Sequence, residues 1–331
     1  MHPATMTLIE GVYTQDLIPR MLNDKHVGTY FLTGEDSFQK HIRITGQLDD
    51  DYTGLALDWS TFDATRANFL IREAFDILRD NIDFTRYRDS EGVRECSIDA
   101  TDRATLAFDG LIEYFINTPI ILPNGDIHIK HSGIPSGSWF TNIVDTIVNA
   151  LIVRTIIHEF GLIVKDEAYN GDDSALVVQG QLRHSILDLI ADNADRFAEL
   201  TLNTKKSQIT HPRERMFISG ANWSTWNSTR SDETWFRLAL LPNRAVTSLS
   251  QSFSRMFGLL LTGGHTSVHF RQFFDRYQRC YPVSFDMIDL SKMKLPERGL
   301  GYLLEAMENK SIDKFDIAFL SLGRHTKRKH K

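Results

Sequence analysis

The pattern of apolar and polar positions changes its period several times along the chain, and each change marks a predicted element. Apolar residues at helical spacing predict amphipathic helices, and short runs of β-formers between turn residues predict strands. Residues 1–50 show no single period. The predicted elements are a strand at 54–58, helices at 66–80 and 104–117, a hairpin turning at 123–126 with its second strand at 127–130, a long apolar helix ending near Gly161, a hairpin around 171–173, a helix at 186–197, a strand at 201–210, and helical segments from Ser248 onward. This order predicts an α+β fold in which helices back an antiparallel-rich sheet.

The tripeptide Gly171-Asp172-Asp173 stands at the predicted tip of the second hairpin, before the apolar run Ala175–Val178. A glycine that opens a two-residue turn supplies backbone angles that other residues adopt with strain. Both carboxylates can then project from the tip, where paired acids suit a hard cation such as Mg²⁺. A solvated turn is the alternative interpretation of the tripeptide alone.

A second acidic pair lies upstream, where Asp58 ends a predicted strand and Asp63 follows five residues later at the start of a predicted helix. Each acid also has an ordinary structural explanation. Asp58 fits a turn at the end of a strand, and Asp63 fits a helix start favoured by the helix dipole.

Between the acidic pairs, the small-residue segment Ser132–Ser138 leads into the long apolar helix. Its glycines permit close approach of the backbone to a ligand. Thr141, Asp145 and Asn149 recur every four residues, so they share one face of that helix. Helix capping explains Ser136, but it does not explain a polar stripe on an otherwise apolar helix.

In order, these motifs resemble motifs A to D of viral RNA-dependent RNA polymerases, and most closely those of partitivirus and picobirnavirus type enzymes of double-stranded RNA viruses. The motifs are Asp58-x4-Asp63, Ser132-Gly-x-Pro-Ser-Gly-x3-Thr141, Gly171-Asp172-Asp173 and Leu202-Asn203-x2-Lys206-Ser207, with further likeness in Phe217-Ile-Ser-Gly220 and Arg230-Ser-Asp-Glu233. Many positive-strand enzymes have asparagine four residues after the threonine. This chain has Asp145 there and Asn149 one turn later.

The resemblance implies a right-hand polymerase palm with a helical thumb and with the fingers largely missing. The expected domains are a fingers remnant at 1–53, the palm with motifs A to E at 54–245, and a helical thumb with a basic tail at 246–331. Family members carry a basic motif F before motif A, whereas only 57 residues precede Asp58. The chain is therefore expected to be a fragment that binds RNA weakly and polymerises poorly by itself.

The same resemblance implies residue roles in template-directed RNA synthesis. Two Mg²⁺ (or Mn²⁺) ions are expected, held by carboxylates that should converge, and a lysine is expected to protonate the pyrophosphate. The implied metal ligands are Asp58, Asp172 and Asp173; the implied general acid is Lys206 or its neighbour Lys205; the implied nucleotide- and ribose-binding residues are Asp63, Ser136, Gly137, Thr141, Asp145 and Asn149.

The implied partners are the RNA template and product, nucleoside triphosphates and a viral capsid protein, in the host cytoplasm within the virion.

The net charge of −6 is unusual for a protein that threads RNA. The basic residues of 324–331 contribute five positive charges, which leaves −11 on the remainder. That tail either touches RNA or is a solvated terminus. No apolar stretch is long enough to predict a membrane span, and the distant Cys96 and Cys280 predict neither a disulfide nor a zinc site.

Two other classes of protein share part of this pattern of motifs. A reverse transcriptase has the same palm, but it would carry an aromatic residue before the paired acids and a bulky sugar gate near Asp63. A non-catalytic RNA-binding palm remnant is the second alternative, against which the intact Asp58, Asp172 and Asp173 argue.

Overall fold

The computed structural model describes residues 3–24, 26, 30–32, 37–62, 67–218, 221–223, 228–241, 246–261, 264 and 267–281. The helices are α1 (Ala4–Asn23), α2 (Ser37–Thr45), α3 (Asn68–Arg79), α4 (Ile98–Ile116), α5 (Thr141–Glu159), α6 (Ser185–Ala198), α7 (Asp232–Leu240), α8 (Leu249–Leu261) and α9 (Val268–Cys280). The strands are β1 (Tyr52–Leu57), β2 (Trp59–Ser60), β3 (Arg86–Asp89), β4 (Gly92–Glu95), β5 (Pro119–Ile121), β6 (Ile127–Ile129), β7 (Val164–Asn170), β8 (Asp173–Gln179), β9 (Thr201–Leu202), β10 (Gln208–Thr210), β11 (Met216–Ile218), β12 (Ala221–Trp223) and β13 (Ser228–Thr229).

The described residues cluster into two compact units. One draws on Met1–Leu32 and Thr53–Ile209, and the other on Thr33–Tyr52 and the residues from Thr210 onward. The expected domain limits at 1–53, 54–245 and 246–331 remain a prediction.

A central sheet with strand order β10-β1-β8-β7 forms the core of the first unit. Helix α5 packs on β7 and β8 and also contacts α3 and α6. It is therefore enclosed on nearly every side, which explains its apolar composition and makes Asp145 and Asn149 buried polar residues. The start of α5 is fixed by an aromatic cluster, in which the Phe75 ring lies edge-on to Phe140 at 5.2 Å between centroids.

The hairpin β7–β8 turns through Gly171 and Asp172, with Asn170 paired to Asp173. Gly171 has φ +60°, whereas Asp172 lacks a positive φ. This is the pattern of a type II′ turn, in which the first central residue is glycine. The prediction that this position needs glycine because of its backbone angles is confirmed.

Strands β1 and β8 are neighbours that run in opposite directions. The hydroxyl of Thr53, at the start of β1, donates to the carbonyl of Gly180 at 2.5 Å and accepts from the N–H of Leu182 at 3.2 Å, just beyond the end of β8. The end of β1 therefore lies toward the start of β8. This arrangement brings Asp58 to the same end of the sheet as the Gly171–Asp173 turn.

The single strand predicted at 201–210 is wrong, because a turn divides it. Strand β9 pairs with β2, whereas β10 joins the central sheet. Asn203 begins the turn: its carbonyl accepts from the N–H of Lys206 at 3.0 Å and of Ser207 at 2.8 Å. The turn gains further stability from a contact with Asp58, which is remote in sequence.

The second unit contains the strands β11–β13, α2 and the helices α7, α8 and α9. Helix α2 packs on β12, where the rings of His41 and Trp223 stack at 4.1 Å. Aromatic side chains fill the space among α7, α8 and α9: Trp235, Phe253, Phe257, Phe270 and Phe274. The predicted helical character after Ser248 is confirmed as far as Cys280, and later residues lie outside the described part. Among the described helices, none has the length and apolarity to cross a membrane.

Replacing Gly171 by alanine should lower the free energy of unfolding by about 1–2 kcal/mol, because an L side chain is strained at positive φ. Crowding contributes little, since the nearest atom to the added Cβ is the side-chain nitrogen of Asn142 at 3.6 Å. Gly110→Ala is the matched control, because Gly110 lies inside α4 with nothing within 4 Å of an added Cβ. This control should stabilise the protein by about 0.5–1 kcal/mol. Urea unfolding measures both changes, and equal effects would contradict the turn assignment.

Candidate active site

The three predicted metal ligands lie at one end of the central sheet. Asp58 directly follows β1 and its side chain is 23% exposed. Asp172 is exposed in the turn, and Asp173 begins β8 half-buried. Among the described residues, no three His, Cys, Asp or Glu side chains are grouped closely enough to hold a metal ion. The convergence of the three carboxylates to metal-ligand distance therefore stays a prediction.

Lys206 is the basic group beside Asp58, with its Nζ 3.6 Å from Oδ1 of the carboxylate. The backbone creates this proximity. The N–H of Asn203 donates to the carbonyl of Asp58 at 2.9 Å, and the hydroxyl of Ser207 accepts from the N–H of Asp58 at 3.1 Å. Because the lysine side chain is 63% exposed, the ion pair itself contributes little stability.

The Asn149 side chain is fully buried and its carboxamide makes four hydrogen bonds at this end of the sheet. Its Oδ1 accepts from the indole N–H of Trp59 and from the hydroxyl of Ser174, each at 2.9 Å. Its Nδ2 donates to the carbonyl of Gly171 at 2.9 Å and to that of Asp173 at 3.1 Å. An amide has two donor hydrogens and two main acceptor directions, so its capacity is filled.

This network gives Asn149 a different role from the ribose contact expected of it. In this structure no polar atom of the side chain is left for a nucleotide. Instead, the side chain ties the Gly171–Asp173 turn to Trp59, the residue after Asp58. Asn149 is therefore a positioning residue for the acidic site.

The other polar residues of the same helix face lie nearer its beginning. The hydroxyl of Thr141 donates to the carbonyl of Pro135 at 2.6 Å, which ties the helix start to the preceding loop. Asp145 is buried, with 4% of its surface exposed. Asp63, the expected partner in ribose recognition, lies outside the described residues.

The loop before α5 presents Ser136 and Gly137 to solvent, whereas Ile134 and Pro135 are buried. Gly137 has φ +97°, a conformation that favours glycine. At the beginning of the loop, the ammonium group of Lys130 donates to a backbone carbonyl. Burial lowers the pKa of Lys130 to about 8, because the charged form loses hydration.

Two residues that the motifs did not indicate also hold the site. Glu10 accepts hydrogen bonds from Ser138 and from the N–H of Trp139, and Ser174 binds Asn149. Nothing in the local pattern marks either one, because their partners are remote in sequence. A buried acid within a helix is a signal only after burial is known.

The sequence model of the viral RNA-dependent RNA polymerase family matches residues 1–278. The chain belongs to this family. The match agrees with the resemblance predicted from the motifs, and it groups the chain with RNA-dependent RNA polymerases instead of reverse transcriptases.

Two curated polymerases are similar in sequence. The chain is 35% identical over 210 residues to the RNA-directed RNA polymerase of Cryptosporidium parvum virus 1 (strain KSU-1), covering 61% of this chain and 35% of that protein. It is 29% identical over 170 residues to the RNA-directed RNA polymerase of White clover cryptic virus 1 (isolate Boccardo/2004), covering 47% of this chain and 27% of that protein. The matched region thus spans between about a quarter and about a third of the length of these polymerases.

Solved polymerase structures show the same fold. The RNA-dependent RNA polymerase of a human picobirnavirus aligns with a TM-score of 0.63 at 14% identity, covering 97% of this chain and 57% of that chain. Its insertion-loop deletion mutant aligns with a TM-score of 0.62, covering 98% of this chain and 60% of that chain. The predicted α+β polymerase fold is confirmed.

Replacing Asn149 by alanine should lower the free energy of unfolding of this polymerase-family chain by about 2–4 kcal/mol, because buried donors and acceptors would lose their partners. Asn142→Ala on the same helix is the control. Asn142 is exposed and its side chain donates one bond, to Asn170 at 3.2 Å, so its loss should cost about 0.5 kcal/mol or less. Denaturant titration compares the two variants. Similar small losses would show that Asn149 does not hold the turn.

Proposed function

We propose that this chain carries the catalytic palm for template-directed RNA synthesis, transferring nucleotides from nucleoside triphosphates during replication and transcription of a viral RNA genome. One observation carries the proposal. In a member of this family, Asp58 at the end of β1 and the turn at Asp172 and Asp173 occupy the same end of the central sheet. The proposed partners are RNA, nucleoside triphosphates and a capsid protein, within the virion in the host cytoplasm.

The carboxylate oxygens of these acidic residues are the kind of ligand that Mg²⁺ and Mn²⁺ prefer. Mg²⁺ is commonly bound by one or two carboxylates and completes its shell with water and substrate phosphates. Asp58 and Asp172 would hold the ions, with Asp173 as a weaker ligand. When bound, two such ions supply activation of the attacking hydroxyl and stabilisation of the leaving pyrophosphate.

The remaining proposed roles belong to side chains around this end of the sheet. Lys206 would act as the general acid toward pyrophosphate, and its exposed side chain is long enough to leave Asp58. Thr141, Asp145 and Asp63 would recognise the ribose. The exposed tip at Ser136 and Gly137 would contact the templating base or the incoming nucleotide. Asn149 would act indirectly, by holding the turn that carries Asp172.

Replacing Asp172 by asparagine should weaken Mn²⁺ binding in the presence of a nucleoside triphosphate by about 10-fold or more, because a charged ligand is lost. Template-dependent incorporation should fall by about 100-fold or more relative to the unchanged chain. Stability should change by about 0.5 kcal/mol or less, since Asp172 is exposed. Calorimetry, labelled-nucleotide incorporation and urea unfolding provide the three measurements.

Asp126→Asn is the matched control, because Asp126 is also an exposed hairpin acid and lies between β5 and β6. It should leave metal binding and incorporation unchanged. Normal metal binding and incorporation by the Asp172 variant would refute the metal-ligand role. The rate is compared as a ratio of variant to unchanged chain.

A further inference from the structure

Glu10 is a buried acid on α1, with 2% of its surface exposed. One carboxylate oxygen accepts the hydroxyl of Ser138 at 2.8 Å, and the other accepts the N–H of Trp139 at 2.9 Å. Burying a carboxylate is unfavourable unless hydrogen bonds replace its hydration. Bonds to an ionised acceptor are stronger than neutral ones, so this contact joins α1 firmly to the loop before α5.

The same contact lies directly before the beginning of α5. Phe140 occupies the N-cap position and provides no side-chain hydrogen bond there. The hydroxyl of Ser138 accepts instead from the N–H of Phe140 at 3.0 Å while donating to Glu10. A negative charge beside the first turn is also favourable to the helix dipole. Glu10 and Ser138 therefore bind the backbone N–H groups of the two residues that precede α5, Trp139 and Phe140.

The residues held in this way directly follow the exposed tip at Ser136 and Gly137. A glycine at φ +97° in an exposed loop has many accessible conformations. Before the tip, the hydroxyl of Thr141 binds the carbonyl of Pro135. After the tip, Glu10 binds Ser138 and Trp139. The tip is therefore held by hydrogen bonds on both sides.

The anchored helix also contacts the acidic turn. The hydroxyl of Thr146 accepts from the N–H of Gly171 at 2.9 Å, and Asn142 donates to Asn170 at 3.2 Å. A shift of the first turns of α5 would therefore disturb the loop and the turn together. Glu10 lies far from both in sequence and outside every motif that the sequence indicated.

We propose that Glu10 is a positioning residue that fixes the Ser136–Gly137 tip for nucleotide binding. The nucleotide part of this inference rests on the proposed function. The structural part, that Glu10 holds residues 138–140 and so limits the motion of the adjoining tip, stands on the hydrogen bonds of this chain.

Hydrogen exchange on the complete 331-residue chain tests the structural part. In Glu10→Ala, the amides of Trp139 and Phe140 should exchange at least about 10-fold faster, because their protection depends on the anchor. Glu10→Gln should show a smaller increase, since an amide keeps one acceptor oxygen. Asp16→Asn is the control on the same helix: its ion pairs with Arg20 and Arg88 are exposed, and exchange at 136–140 should not change.

Unchanged exchange at 136–140 in both Glu10 variants would overturn the inference. If Glu10→Ala also accelerates exchange throughout β7 and β8, the chain has lost its fold and Glu10→Gln decides the question. Local acceleration confined to the loop and the start of α5 supports the anchor.

The functional part is tested with Mn²⁺ and GTP as the probe. Adding both should slow exchange at 136–140 in the unchanged chain and in Asp16→Asn. Glu10→Ala should lose this protection, and the KM for GTP in template-dependent incorporation should rise several-fold with a smaller change in kcat. A mobile loop with an unchanged KM would overturn the positioning role. If the unchanged chain neither binds nor incorporates GTP, the proposed function fails, while the exchange comparison without nucleotide still decides whether Glu10 holds the loop.

Discussion

The geometry of the acidic site depends on the buried carboxamide of Asn149. Two backbone carbonyls of the turn need donors, whereas the indole of Trp59 and the hydroxyl of Ser174 need an acceptor. Only a side chain with both functions can satisfy them all. Aspartate would lack the donors, and leucine would leave the buried indole of Trp59 and the buried hydroxyl of Ser174 without their acceptor. The site is thus fixed by a residue that need not contact a substrate.

Local sequence patterns predicted the elements that depend on contacts between residues close in sequence. The helix expected at 66–80 is observed at Asn68–Arg79, and the hairpin turn at Gly171 follows from the backbone preference of glycine. The strand expected at 201–210 failed for a tertiary reason, because the dividing turn is bound to Asp58. Helix α1 was not predicted: buried polar residues such as Glu10 and Thr14 interrupt its apolar stripe, and Pro19 lies inside it. Burial of these polar groups depends on partners that no local window contains.

The same distinction applies to the site. Sequence order identified the acids and the face shared by Thr141, Asp145 and Asn149, because helical spacing is a local property. Sequence order did not identify what the polar side chains of that face bind. A polar stripe on a helix is consistent with a ligand or with buried backbone groups of a neighbouring turn, and the enclosure of α5 determines that Asn149 serves the second purpose.

The backbone of the site is held by hydrogen bonds, whereas the side chain of Asp172 stays exposed. The electrostatics of neighbouring carboxylates explains this difference. Three carboxylates held at ligand distance without a cation would repel one another strongly in a buried setting. Here the backbone around them is held by Asn149 and Ser207, while Asp172 stays exposed and Lys206 places a positive charge beside Asp58. Such a site can remain folded without metal, because the acids retain hydration and a neighbouring cation. Under the proposed function, the oxygen atoms of these acids would be the ligands of an ion that arrives with its phosphates.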